Sequence, residues 1–120
     1  MKKTVLVVDD EEGIRLLYKE ELEEEGCKVE LAASGEEALE KLSKNGIDLV
    51  LLDIKMPGVD GVEVLRMVKE KWKDLPVILC TAYPHYKHEF GTWASDAYIV
   101  KSSDLRELKE TVKEILEKRQ

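Results

Sequence analysis

The chain has little of what would mark a secreted, membrane-spanning or nucleic-acid-binding protein. Cysteine occurs twice, at Cys27 and Cys80, too rarely for a disulfide framework. Both lie in or beside strand-like runs and read as inert core thiols of a reducing compartment. Apolar runs stop at about four or five residues, far short of a bilayer span. Met1-Lys2-Lys3 has the basic start of a signal peptide, but Asp9-Asp10 cuts the apolar stretch off too early. Positive charge is in deficit: 19 Lys and Arg against 26 Asp and Glu give −7. No direct nucleic-acid binding is therefore expected, since such surfaces need clustered cations. Side-chain amides are confined to Asn45 and Gln120, a bias of the kind seen in thermophile proteins. Repeats, linkers and low-complexity segments are missing too. These exclusions leave a cytoplasmic globular protein, and its 120 residues suit a single domain, 1–120, with a real core.

What is there is a regular alternation. Leu49-Val50-Leu51-Leu52 is apolar without polar interruption, as in a strand buried on both faces of a parallel sheet. The strand runs from Asp48 to Leu52, and the run stops at the carboxylate Asp53. A Pro57-Gly58 turn follows, and then the acidic cap Asp60-Gly61-Val62-Glu63 of a helix. That helix carries Val64, Leu65, Val68 and Trp72 on one face. The same alternation holds elsewhere. Thr4 to Val8 is a strand, and a helix to about Glu25 has Ile14, Leu17, Tyr18 and Leu22 at helical spacing. Gly26 supplies a left-handed stop. Lys28 to Leu31 alternates like an edge strand, and Ser34-Gly35-Glu36-Glu37 is a capping box. Val77 to Cys80 is a fourth strand, ending at Thr81, and Ala97 to Val100 is a fifth, ending at Lys101. Between them His85 to Trp93 predicts only a short or irregular fourth helix. Leu105, Leu108, Val112, Ile115 and Leu116 predict a clear last one. The fold class is α/β: a five-stranded parallel sheet with helices on both faces. The charged second strand favours the order 2-1-3-4-5, and no Gly-x-Gly-x-x-Gly follows the first strand to support the dinucleotide-binding order.

This topology gathers Asp9, Asp10 and Asp53 at one end of the sheet, with Thr81 and Lys101 closing strands four and five at the same end. Singly, each has a plain reading, since Asp caps helices and forms turns. Together they are not plain. Three close carboxylates repel unless a cation joins them, and a hard, oxygen-preferring ion such as Mg²⁺ fits best. With an ammonium and a hydroxyl added, the space suits a phosphoryl group, which a carboxylate can accept as an aspartyl-phosphate.

The same residues resemble a known family, the receiver domains of two-component response regulators. The resemblance rests on Asp9-Asp10, Asp53 with Met56-Pro57-Gly58 and Asp60-Gly61, Thr81-Ala82, Tyr98 and Lys101, and it covers essentially the whole chain. It implies that Asp53 accepts phosphate from a histidine kinase or phosphotransfer protein. It implies that Asp10, Asp53 and the backbone carbonyl of Lys55 hold Mg²⁺, with Asp9 acting mainly through water. Thr81 and Lys101 would contact the phosphoryl oxygens, and Tyr98 would swing with Thr81 as the switch. Small Ala82 would leave room for the phosphoryl group, and Lys55 and Tyr83 would tune its lifetime. The output would pass to a downstream effector protein or a covalently linked output domain. Such a protein is a phospho-acceptor that slowly loses its phosphate, not a multiple-turnover enzyme. One departure is Lys101-Ser102, where the family usually has Lys-Pro; a trans peptide is expected there. Another is a slightly short interval from Thr81 to Lys101.

Other readings remain beside this one. A dehalogenase-like phosphatase also uses an aspartyl nucleophile after a strand, but wants a second Asp where Lys55 stands. A flavodoxin-like electron carrier would not crowd acids at its phosphate site. An unphosphorylated interaction module would not need them. His85 and His88 are surface residues or metal ligands lacking an evident third partner. Tyr83, Tyr86, Phe90 and Trp93 are core cover or a partner surface. Ile14, Leu16, Leu17, Tyr18 and Leu22 exceed what one helix face can bury, so one or two should be exposed where a kinase helix pair could dock.

Overall fold

Strands and helices alternate along the chain of this computed structural model, which describes residues 2–44, 46–53, 61–81, 97–100 and 104–118. The elements are β1 (Thr4–Val8), α1 (Glu12–Glu24), β2 (Lys28–Ala32), α2 (Gly35–Lys44), β3 (Leu49–Asp53), α3 (Gly61–Lys71), β4 (Val77–Thr81), β5 (Ala97–Val100) and α4 (Arg106–Lys118). The segment 82–96, which holds the expected short helix with His85, His88 and the aromatic patch, lies outside the described residues. So do 54–60 and 101–103, and with them Lys55 and Lys101-Ser102.

The strands are all parallel and lie in the order β2-β1-β3-β4-β5. β3 is buried at every position, and in β1 all but Thr4 are buried, which is why neither strand alternates in sequence. β2 sits at an edge, where Lys28 can reach water. Side chains leave a strand on alternate faces, so two apolar layers form. Leu6, Val8, Val50, Leu52, Val77 and Leu79 meet α2 and α3 through Ala38, Leu42, Val64, Leu65 and Val68. Val5, Val7, Leu49, Leu51, Ile78 and Cys80 meet α1 and α4 through Tyr18, Leu22, Leu108, Val112 and Leu116. Both cysteines are buried free thiols.

Of the five apolar residues of α1, two are exposed, as their number implied: Leu16 at 52% and Leu17 at 41%. A 13-residue helix resting on a twisted sheet covers only a narrow stripe, which Ile14, Tyr18 and Leu22 already fill. Asp48 is not part of β3. It closes the strand's start, accepting the Thr4 N–H on Oδ2 at 2.8 Å while its own N–H donates to the Thr4 carbonyl at 2.8 Å. The capping box before α2 is shifted by one partner. Ser34 Oγ accepts the Glu37 N–H at 3.2 Å, but Glu37 Oε1 accepts from Ala33 rather than Ser34, at 2.6 Å. Gly26 ends α1 with φ +91°, the left-handed conformation read from the sequence.

Candidate functional site

β1 and β3 are neighbours, with Val8 opposite Leu52. The next position on each strand is an aspartate, so register alone sets Asp9 beside Asp53. Asp53 is the last residue of β3 and stands opposite Cys80 on β4. Asp9 follows β1, and its N–H donates to the Ala32 carbonyl at 3.1 Å, carrying the β1–β2 ladder one step further. The chain then turns. Asp9 Oδ1 accepts the Glu11 N–H at 2.9 Å, and α1 departs from Glu11 without a side-chain cap of its own.

Carboxylate oxygens of Asp9, Asp10 and Asp53 lie within 4.8 Å of one another. Asp9 and Asp53 are 2% and 4% exposed, the buried charged residues among those described. Asp10 is exposed, so the cluster opens to solvent on its side. Burying two like charges in one place is costly unless something neutralises them. The donors are all carboxylate oxygens, with no nitrogen or sulfur among them, which is the chemistry of a hard divalent cation rather than of zinc or copper. The residues present therefore fit Mg²⁺.

Thr81 ends β4 and pairs with Val100 of β5, and Tyr98 pairs with Leu79. The backbone thus brings Thr81 to the carboxylate end of the sheet and sets Tyr98 two residues back on the adjoining strand. Lys55 and Lys101 lie outside the described residues. One residue escaped the sequence reading. Arg15 on α1 donates from Nη1 to the Asp9 carbonyl oxygen at 2.7 Å. A signal was there: a lone cation one turn into a helix that leaves an acidic strand end.

A parallel α/β sheet in this order, with an acidic cluster outside the carboxyl ends of β1 and β3, defines a domain with its site at the topological switch point. A family model described as response regulator receiver domain matches residues 5–113. The chain belongs to that family. It is 37% identical over 118 residues to sporulation initiation phosphotransferase F of Bacillus subtilis, covering 97% of this chain and 95% of that one. It is 43% identical to the transcriptional regulatory protein ResD of B. subtilis, covering 93% of this chain but 47% of ResD, about half its length. Among solved structures it is similar to the response regulator TrrA of Thermotoga maritima in complex with Mg²⁺-BeF. There the identity is 52% and the TM-score 0.90, with 94% of this chain and 98% of that one covered. TrrA has also been solved in complex with the histidine kinase ThkA, where the identity is 53% and the TM-score 0.89, covering 95% of this chain and 98% of that one. No helix among the described residues is long and apolar enough to cross a membrane.

Proposed function

We propose that this chain is a phosphorylation-dependent signalling switch, a single receiver domain over 1–120, in which Asp53 accepts the phosphoryl group. The observation that carries the reading is the buried carboxylate of Asp53 at the end of the central strand, with oxygens of Asp9 and Asp10 within 4.8 Å. A carboxylate oxygen of Asp53 attacks phosphorus as the bond to the donor's imidazole nitrogen breaks. The imidazole leaves with the bonding electron pair and takes up a proton. The donor is a histidine kinase or phosphotransfer protein, by likeness to TrrA, which is solved with the kinase ThkA.

Asp10 and Asp53, with the Lys55 carbonyl, would hold Mg²⁺, and Asp9 would hold it through water. When bound, the ion would neutralise the carboxylates and draw charge from the phosphoryl oxygens. Likeness to TrrA, solved with Mg²⁺-BeF, supports this. Thr81 and Lys101 then take the phosphoryl oxygens, and Thr81 with Tyr98 relays the change toward an output surface. The receiver of that signal is an effector protein or a linked output domain. The domain acts as a slowly self-dephosphorylating phospho-acceptor, works in the cytoplasm, and binds neither nucleic acid nor membrane directly.

Intact mass after incubation with acetyl phosphate and Mg²⁺ tests this. The expected result is a gain of one phosphoryl group that EDTA suppresses and Asp53→Asn abolishes. An undiminished gain in Asp53→Asn would overturn the assignment.

A further inference from the structure

Residue 9 is held from three directions. Its N–H is bound to the end of β2 at Ala32 and its Oδ1 to the loop N–H of Glu11. Its carbonyl oxygen is bound to the half-buried guanidinium of Arg15 on α1, at 2.7 Å. The first two fix the strand end and the turn. The third acts on something else. The carbonyl of Asp9 and the N–H of Asp10 belong to one rigid peptide plane, so clamping that oxygen sets the direction in which Asp10 leaves the strand. Asp10 is the exposed member of the cluster, so the direction of its backbone weighs heavily on where its carboxylate lies.

We infer that Arg15 is a positioning residue for the cation site: it orients the Asp9–Asp10 peptide so that the Asp10 carboxylate stays within reach of Asp53. This rests on the reading of Asp9, Asp10 and Asp53 as the Mg²⁺ site. The role can be separated from that of Arg15's charge by sign. A guanidinium bound to the Asp9 carbonyl brings a positive charge near the acidic cluster and competes electrostatically with a cation, so removing it should tighten Mg²⁺ binding if charge is all that matters. If position matters, removal should weaken binding, as loss of groups that orient metal ligands does.

The experiment is Mg²⁺ titration by calorimetry of the wild type, Arg15→Met, Arg15→Lys and Asp10→Asn. It is paired with the Asp10 amide chemical shift in Mg²⁺-free buffer. Arg15→Met keeps the stem and loses both donor and charge; the expected result is roughly tenfold weaker binding. The Asp10 amide should also shift in the absence of any metal. Arg15→Lys keeps charge and a donor and should fall between Arg15→Met and the wild type. It also carries the test should Arg15→Met not fold. Equal or tighter binding in Arg15→Met, or an unmoved Asp10 amide, would overturn the role. Unchanged binding in Asp10→Asn would instead overturn the site assignment on which it depends.

Discussion

Asp53→Asn should make the metal-free protein more stable, although it removes the residue on which the proposed function depends. Asp9 and Asp53 are both buried and their carboxylate oxygens lie within 4.8 Å. At that distance, with an effective dielectric constant near 20, two unit charges repel by about 3.5 kcal/mol. Solvent reaching the cluster on the side of Asp10 screens the pair below that figure. Replacing the acid by its near-isosteric amide should therefore raise stability by about 1–2 kcal/mol. In a domain of this size that is roughly 4–8 °C in Tm. The assay is thermal unfolding followed by circular dichroism at pH 8, in EDTA and in excess Mg²⁺. In EDTA the variant should melt above the wild type. At a hundredfold excess of Mg²⁺ over its Kd the wild type gains about 2.7 kcal/mol, while the variant, with one ligand neutralised, gains less, so the gap should close or invert. A lower Tm for Asp53→Asn in EDTA, or an equal Mg²⁺ gain in both proteins, would refute the reasoning.

Three further outcomes are expected. Gly26→Ala should lower the urea midpoint at constant slope, costing about 1–2 kcal/mol. A Cβ there meets nothing within 4 Å, so the cost comes from the φ of +91° alone, and an unmoved midpoint would contradict it. Side-chain hydrogen bonds from Arg106, at 2.8 and 3.1 Å, hold the Asp104 carboxyl down to about 2 from its ordinary 3.8. A lowered carboxyl stabilises the fold above its ordinary value and loses that contribution as pH falls toward about 2. Arg106→Gln should therefore move the Asp104 titration back toward 3.8, read from its carboxyl carbon shift; no movement would show that another group sets it. Burial, and secondarily the charge of Glu25, pushes the Cys27 thiol up. Alkylation of Cys27 at pH 8 should thus be slow in the native protein and fast in urea, and equal rates would argue against a buried thiol.

Much of this was legible because it depends on composition along the strand. An uninterrupted apolar run marks a strand covered on both faces, and charges at Lys28 and Glu30 mark an edge, so the sheet order could be read before the structure. Asp9, Asp10 and Asp53 were legible for the same reason, since parallel strands of similar length end together. That one or two apolar residues of α1 would be exposed was legible from their number, but not that they would be Leu16 and Leu17, because the stripe is set by how α1 lies on the sheet. Asp48 was misassigned because the strand's first residue is defined by its hydrogen bonds, and its carboxylate accepts from Thr4 instead of extending the ladder. Arg15 was missed because its partner is a backbone carbonyl, and such a bond depends on the angle at which α1 leaves β1. The backbone of Thr81 falls at the end of β4 and that of Tyr98 within β5, on the strands where the sequence put them.

The acidic cluster also bears on how the sheet finds its register. A half-exposed strand has its register fixed by the alternation of apolar and polar residues, because a one-residue slip would turn apolar side chains to water. β1 and β3 lack that protection: positions 5–8 and 49–53 are buried whichever face they point to. A slip would exchange Val for Leu or Val, a packing change of modest cost. What does discriminate lies at the two ends. Asp48 and Thr4 exchange two hydrogen bonds at the start of the pair. At the other end, a slip would draw Asp9 or Asp53 one step deeper into the apolar layer. An unpaired carboxylate there costs several kcal/mol, more than any gain from repacking the valines. If the cluster holds the cation as proposed, the same charges also select the register that brings Asp9 and Asp53 together. Asp53→Asn relieves the repulsion without removing polarity, and so leaves that selection in force.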